Sequence, residues 1–170
     1  MSGGAATWRP MRADDLPAVA AMSDTVHGAF TEPLATYAER LALYPQGCHI
    51  LESRGFEGEG AAIGYLVTHP WRLGAPPKLG AALGALPADP DSYYLHDIAL
   101  LPAARGQRAG EAAVALVLNL ARAAGLPVIE LVAVGGADAY WQRLGFAYAA
   151  PGVDGPYGPG TFVMRRPVEA

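Results

Sequence analysis

The residues best equipped for chemistry lie between Tyr94 and Gly110. The stretch Ile98-Ala99-Leu100-Leu101-Pro102-Ala103-Ala104-Arg105-Gly106-Gln107-Arg108-Ala109-Gly110 is an apolar run, then a turn, then a helix start. A strand that feeds a glycine-containing turn and opens a helix presents free backbone N–H groups. With the helix dipole, these bind an anion, typically phosphate. Arg105 and Arg108 add positive charge beside them. Just upstream, Tyr94, His96 and Asp97 bring titratable groups close to that turn. Strand alternation puts Tyr94, His96, Ile98 and Leu100 on one face and Leu95, Asp97 and Ala99 on the other.

Other reactive residue types form no constellation. Cys48 and His49 are neighbours on a predicted strand, so they point to opposite faces and make no thiolate–imidazole dyad. Cys48 reads as a small core residue. His27, His49 and His69 lack ligand spacing, and no metal is assigned. Asp14-Asp15 reads as a helix start rather than an acid/base pair.

These residues need a scaffold, and hydrophobic periodicity supplies one. Thr7–Pro10 reads as a first strand. Leu16, Val19, Ala20 and Ser23 follow at helical spacing. Pro33 opens a second helix with Leu34, Tyr37, Ala38 and Leu41 on one face, and Pro45 stops it. Cys48–Glu52 and Ala61–His69 read as strands joined by the glycine-rich hairpin Gly55–Gly60. Pro70–Asp91 is a long connector with room for a short helix around Lys78–Leu86. Ser92–Leu101 is a buried strand and Pro102–Gly110 the turn. Glu111–Ala124 is a helix whose only polar residues are Glu111, Asn119 and Arg122, which predicts that most of it is buried. Gly125 and Pro127 end it. Val128–Val134 is a β-branched strand, so Ser92–Val134 forms a right-handed βαβ unit with parallel strands. Ala137–Leu144 is a short helix. Phe146–Ala149 and Thr161–Arg165 form a last hairpin across the loop Pro151–Gly160. The fold class is α/β with a mixed sheet.

Composition narrows the function. The chain has 170 residues, 52% hydrophobic and 16% charged, with 21 glycines and 15 prolines. That suits one domain, residues 1–170, with a core broken often by turns. The net charge of −4 gives no global attraction to nucleic acid or anionic lipid. The single cysteine excludes an internal disulfide. The longest apolar run in the helical half, Ala112–Leu118, is far below the ~18 residues that span a bilayer. The N-terminus does not read as a signal peptide. A soluble, cytoplasmic protein is expected, with no membrane or nucleic-acid partner.

The turn resembles motif A of the GNAT superfamily of acyl-CoA-dependent N-acetyltransferases, Arg/Gln-x-x-Gly-x-Gly/Ala after a strand. Arg105, Gly106, Gln107 and Gly110 fall in place, while Arg108 stands where the family usually has its middle glycine. Arginine suits that place if the backbone needs no positive φ. Trp8–Leu16 resembles the family's first strand and helix start. Tyr140-Trp141-Gln142-Arg143-Leu144-Gly145-Phe146 resembles its late aromatic motif, so the likeness covers nearly the whole chain. Within the family, His96, the Tyr44-Pro45 stop and the late Gly-Phe run resemble the arylalkylamine N-acetyltransferase branch and its bacterial relatives. A dinucleotide fold is set aside, because Gly-x-Gly-x-x-Gly spacing and an early βαβ unit are absent.

The resemblance implies a mostly antiparallel sheet with the parallel βαβ unit at the acyl-CoA site. It also implies direct acetyl transfer from acetyl-CoA to a small-molecule primary amine, with no metal. Ile98, Ala99, Leu100, Arg105, Gly106, Gln107, Arg108, Ala109, Gly110 and Trp141 would bind the cofactor. The backbone of Ala99 and Leu100 would pair with the pantetheine arm, where an N–H could polarise the thioester carbonyl. An alkylamine with a pKa of about 10 is neutral about one time in a thousand at pH 7, which costs roughly 4 kcal/mol. A base near neutrality offsets this. His96 matches a catalytic histidine of the arylalkylamine branch, and Tyr94 stands where that branch has a second histidine. Asp97 is either a competing base or a buried carboxylate fixing a loop or helix end. The acid for the departing thiolate is open: Trp141 occupies the usual tyrosine position, and Tyr140 lies one residue earlier, about 100° round the helix. Loops Pro70–Asp91 and Pro151–Gly160 would shape the acceptor site. The acidic balance slightly favours a cationic acceptor, and a homodimer is compatible with the resemblance. A non-catalytic acyl-CoA sensor of the same fold is the alternative function, on the strength of Arg108 and Trp141.

Overall fold

A computed structural model describes residues 5–54 and 60–169. Seven strands are β1 (Thr7–Pro10), β2 (Cys48–Glu52), β3 (Ala62–Trp71), β4 (Ser92–Leu100), β5 (Val128–Ala133), β6 (Ala147–Tyr148) and β7 (Phe162–Pro167). Four α-helices are α1 (Leu16–His27), α2 (Leu34–Leu43), α3 (Ala109–Ala123) and α4 (Asp138–Arg143). The strands form one sheet in the order β1-β2-β3-β4-β5-β7-β6. Every neighbouring pair is antiparallel except β4 and β5. This is the mixed, mostly antiparallel α/β architecture expected, with the parallel pair at the α3 crossover. The expected hairpin segment Gly55–Gly60 lies, apart from Gly60, outside the described residues, but β2 and β3 pair antiparallel around it.

Each face of the sheet has its own core. On one face, α3 and α4 cover Leu66, Tyr93, Leu95, Ile129 and Leu131. On the other, α1 and α2 cover Ile50, Tyr65, Val67 and Ala99, and Cys48 sits among them. Burial pushes the Cys48 thiol up to about 12, so it stays protonated. In α3 the buried positions are Ala109, Gly110, Ala113, Val114, Val117, Leu118 and Ala121, one stripe at helical spacing. The expectation of a mostly buried helix fails: Ala112, Ala115 and Ala123 face solvent along with Glu111, Asn119 and Arg122. Those alanines supply helix propensity rather than core. Leu34, expected on the buried face of α2, is exposed, and Thr36 and Arg40 are buried instead.

Residues 78–86 form no helix. The connector's N–H groups are taken by carboxylates rather than by carbonyls four residues back. Gly80 N–H donates to Glu32, Leu83 and Gly84 N–H to Glu39, and Gly74 N–H to Glu130. Arg40 in turn donates to the Ala81 carbonyl at 3.1 Å. Buried charges after α1, on α2 and on β5 thus hold the connector against the domain.

One irregularity of β4 decides the site. Val67 pairs with Asp97 but Thr68 pairs with Leu95, so β4 carries one extra residue, His96, opposite β3. A bulge of this kind breaks the two-residue alternation. Leu95 and Ile98 both pack on the α3 side, while Asp97 and Ala99 face α1 and α2. The expected split of His96 and Asp97 onto opposite faces is therefore corrected. Both bond to groups of the α1–α2 layer, His96 to Glu32 and Asp97 to His27 and Tyr37.

Candidate active site

The turn after β4 begins with one 3-10 turn, Pro102–Ala104, and α3 starts at Ala109. Gly106 has φ +78° and Arg108 has φ +54°, ψ +32°. The condition set for Arg108 is not met, because it occupies the left-handed region that costs an L-residue roughly 1–2 kcal/mol. The backbone N–H groups of Gly106, Gln107, Arg108 and Ala109 find no carbonyl acceptor among the described residues. They crown the N-terminus of a helix of 15 residues. β1 locks this corner from behind: Trp8 Nε1 donates to the Ala109 carbonyl at 3.1 Å, and Ala6 N–H to the Gln107 side chain at 3.0 Å. A groove of about 360 Å³ lies over it, lined among others by Arg105, Arg108, Gly110, Tyr140 and Arg143.

β4 and β5 pair only at Tyr93–Ile129 and Tyr94–Glu130. Beyond that point they part, and the β5-facing edge of β4 has no strand partner among the described residues. A cleft of about 480 Å³ fills the fork. Leu100, Arg105 and Tyr140 line both it and the groove at the corner, so the two are continuous. At its other end the cleft reaches Val26, His27 and Phe30, where α1 stops. It therefore runs from the cationic corner on the α3 side through the fork to the α1 side.

At that far end Asp97 is the hub of a hydrogen-bonded cluster. Its Oδ1 lies 2.6 Å from His27 Nε2, and its Oδ2 accepts from Tyr37 Oη at 2.6 Å and Tyr65 Oη at 2.5 Å. Tyr37 Oη also meets Ser23 Oγ at 2.8 Å. Burial opposes the charge on Asp97, but the His27 bond and charge, the His96 charge and the Tyr37 hydroxyl outweigh it and hold the carboxyl below its usual range. Burial likewise opposes a charged His27, yet the Asp97 bond and the charges of Asp97 and Glu32 raise it above the usual histidine value. Burial and the neighbouring Asp97 charge push both tyrosine hydroxyls far up, so they stay protonated and each gives its hydrogen to Asp97, which leaves Tyr37 Oη to accept from Ser23.

The family model for the Acetyltransferase (GNAT) family matches residues 18–146. The chain belongs to the GNAT acetyltransferase family. GNAT membership makes it an acyl-CoA-dependent N-acetyltransferase. Solved structures agree on the fold. Ard1 from Thermoplasma volcanium superposes with a TM-score of 0.72 at 15% identity, over 98% of this chain and 100% of that one. The ribosomal-protein-S18-alanine N-acetyltransferase from Escherichia coli gives 0.63 at 19% identity, over 97% and 95%. GphF, a GNAT-like decarboxylase in complex with isobutyryl-CoA, gives 0.70 at 19% identity, over 96% and 100%. No curated protein is significantly similar in sequence.

Within this GNAT domain the expected cofactor residues separate into two groups. Arg105, Gly106, Arg108, Ala109 and Gly110 line the corner groove, and Ile98, Leu100 and Trp141 line the cleft. Ala99 and Gln107 line neither. Ala99 points into the α1–α2 core, and the Gln107 side chain bridges Ala6 and the Ala103 carbonyl. Tyr140 packs its hydroxyl against Gly110, where a methyl group would stand 1.6 Å away. Burial and Glu111 raise its pKa, and it faces both grooves. His96 lies off the cleft lining: its side chain is 1% exposed and its Nε2 sits 2.6 Å from Glu32 Oε1. Tyr94 is buried against the His69 and His96 rings, its hydroxyl 3.4 Å from Tyr157 Oη. His27, Tyr37, Tyr65 and Phe30 escaped the sequence reading of the site. His27 and Asp97 are 70 residues apart and share no motif, so only the fold brings them together.

The two loops expected to border the acceptor do meet. Lys78 and Leu79 of the connector, Pro156 and Tyr157 of the last loop, and Ala29 and Phe30 line a second cavity of about 410 Å³. Phe30 lines both it and the cleft. Tyr157 Oη donates to the Pro77 carbonyl at 2.7 Å and straps one loop to the other.

Proposed function

We propose that this domain transfers the acetyl group of acetyl-CoA to the primary amine of a small molecule, and that its 170 residues act as one catalytic unit. The observation that carries the small-acceptor reading is the Tyr157–Pro77 strap. It ties the last loop to the connector beside the cavity that both loops line, which favours a small acceptor over an extended polypeptide. Phe30, Leu79, Pro156 and Tyr157 suit an acceptor with an apolar or aromatic body.

The residues present fit acetyl-CoA. The corner offers unpaired N–H groups and the arginines Arg105, Arg108 and Arg143, which suit a pyrophosphate. The unpaired edge of β4 would hold the pantetheine amides, and Ile98, Leu100 and Trp141 would flank its acyl end. Bound acetyl-CoA supplies an activated thioester. The chain's own residues then have two tasks: an N–H of the β4 edge stabilises the oxyanion, and Tyr140 stands on the path between corner and cleft to meet the departing sulfur.

The test is release of free thiol from acetyl-CoA with a panel of arylalkylamines, alkylamines, polyamines, amino-acid amides and short peptides with free N-termini. Turnover on aryl- or alkylamines with none on peptides supports the reading. Peptides turned over in preference would reassign the acceptor to protein N-termini, the class named for the Escherichia coli structural neighbour. Binding of acetyl-CoA without turnover on the whole panel would remove the amine acceptor from the reading.

A further inference from the structure

We propose that His27, held by Asp97, is the base that takes the proton from the acceptor amine; this rests on the amine-acetylation reading above. His27 is the last residue of α1 and lines the cleft where β4 and β5 have parted. Its Nε2 is committed to Asp97 Oδ1 at 2.6 Å. Its Nδ1 has no partner among the described residues and is not one of the buried unpartnered atoms, so it is the ring nitrogen left available on a side chain that lines the cleft. Asp97 cannot turn away, because Tyr37 and Tyr65 both donate to its other oxygen. An acceptor-only carboxylate against Nε2 fixes the tautomer with the hydrogen on Nε2 and the lone pair on Nδ1. The basic nitrogen is then the one not tied to Asp97, on a ring that lines the cleft.

His96 offers the opposite arrangement. Its Nε2 is bound to Glu32, and its Nδ1 is buried with no partner. The bulge that turns both residues toward α1 and α2 thus gives Asp97 a cleft-facing imidazole to hold, and closes His96 into the protein.

The step balances. The acceptor enters as an ammonium ion and gives one proton to His27 Nδ1. The freed nitrogen lone pair forms the N–C bond as the carbonyl π electrons move to oxygen. The C=O then re-forms, the C–S bond breaks, and the nitrogen's second acidic proton goes to the thiolate. His27 releases its proton to water at Nδ1. One amide, one free thiol and one proton result. The groups facing His27 are Asp97 from β4, Glu32 beyond α1, and the hydroxyls of Tyr37 and Tyr65 through Asp97. The two carboxylates raise its basicity, and the carboxyl end of α1 acts in the same direction.

The experiment is the pH profile of kcat/KM for an amine turned over by the wild-type protein, in His27→Ala, His27→Gln and Asp97→Asn. Acetyl-CoA binding by calorimetry runs beside it. The glutamine variant keeps size and a donor for Asp97, which guards against misfolding. Both His27 variants should bind acetyl-CoA as wild type does and lose activity near neutrality by about a hundredfold or more. They should lose the acidic limb of the profile, and imidazole should restore part of the rate to His27→Ala. Asp97→Asn should keep an acidic limb but move it to lower pH. An acidic limb unchanged in both His27 variants, whatever the rate, overturns the proposal and leaves the acetylation reading standing. A wild-type protein that acetylates no amine overturns both.

Discussion

At the scale of single residues, Arg108 is the clearest departure from the pattern its motif suggests. A glycine there would adopt φ +54° without strain, whereas arginine bears that strain at the edge of the corner groove it lines. Arg108→Gly should therefore stabilise the fold by up to about 1 kcal/mol, a rise in Tm of ~2–4 °C for a chain of this size. It should also weaken acetyl-CoA binding, most visibly at low salt. A thermal melt and a titration check both, and a variant that changes neither would show that the arginine is unstrained and remote from the ligand. Gly110 is constrained differently. Its helical backbone accepts any residue, but a Cβ would strike the Tyr140 hydroxyl at 1.6 Å. That hydroxyl is the far end of a side chain, so the tyrosine swings rather than the helix breaking. Gly110→Ala is expected to leave Tm nearly unchanged and to raise the acetyl-CoA KM on the order of tenfold, about 1.4 kcal/mol.

At the scale of elements, the site is made by two failures of regularity. β4 and β5 stop pairing after two residues of each, and β4 carries an extra residue at His96. The first opens the cleft and frees the strand edge. The second swings Asp97 onto the face of α1 and α2, where His27, Tyr37 and Tyr65 meet it. Neither is visible as a period in the residues: the run from Ser92 to Leu101 reads as a plain buried strand. The connector and the last loop are elements of the same kind, ordered by what they touch. The strap between them predicts a separable effect. Tyr157→Phe loses the bond to the Pro77 carbonyl, worth about 0.5–1.5 kcal/mol. The acceptor KM should rise roughly two- to tenfold, with the acetyl-CoA KM unmoved. Equal effects on both constants would show that the strap supports the cofactor side as well.

At the scale of the whole molecule, the Asp97–His27 pair ties α1 to the centre of the sheet and gives stability a pH signature. The histidine's pKa is raised on folding, so its contribution is full below the ordinary value of 6.5 and is lost as pH rises through the higher folded value. The carboxyl's is lowered, so its contribution is present above the ordinary 3.8 and is lost as pH falls through the lower folded value. The difference in denaturant stability between wild type and Asp97→Asn should therefore be greatest between those ordinary values and narrow toward alkaline pH. A difference that grows steadily with pH would contradict the pairing. His69 acts against the acid side, because burial holds it down to about 3 and it must charge when the protein unfolds in acid.

What the residues determined by themselves was local. Trp8, the β4 strand and its Arg-Gly turn, the α3 stripe and the Tyr140–Phe146 run each lie within a dozen neighbours, where propensity and periodicity act. They sufficed for the sheet, the family and the turn that opens α3. Their limits were local too: the alanines of α3 read as core because composition does not distinguish helix propensity from burial, and residues 78–86 read as helix because the carboxylates that bind them lie elsewhere in the chain. The tertiary structure alone decided the parting of β4 and β5, the bulge, and the meeting of His27 with Asp97 and of Tyr157 with Pro77. The last two join groups 70 and 80 residues apart, and all four are set by how strands and layers pack, which leaves no period in the sequence.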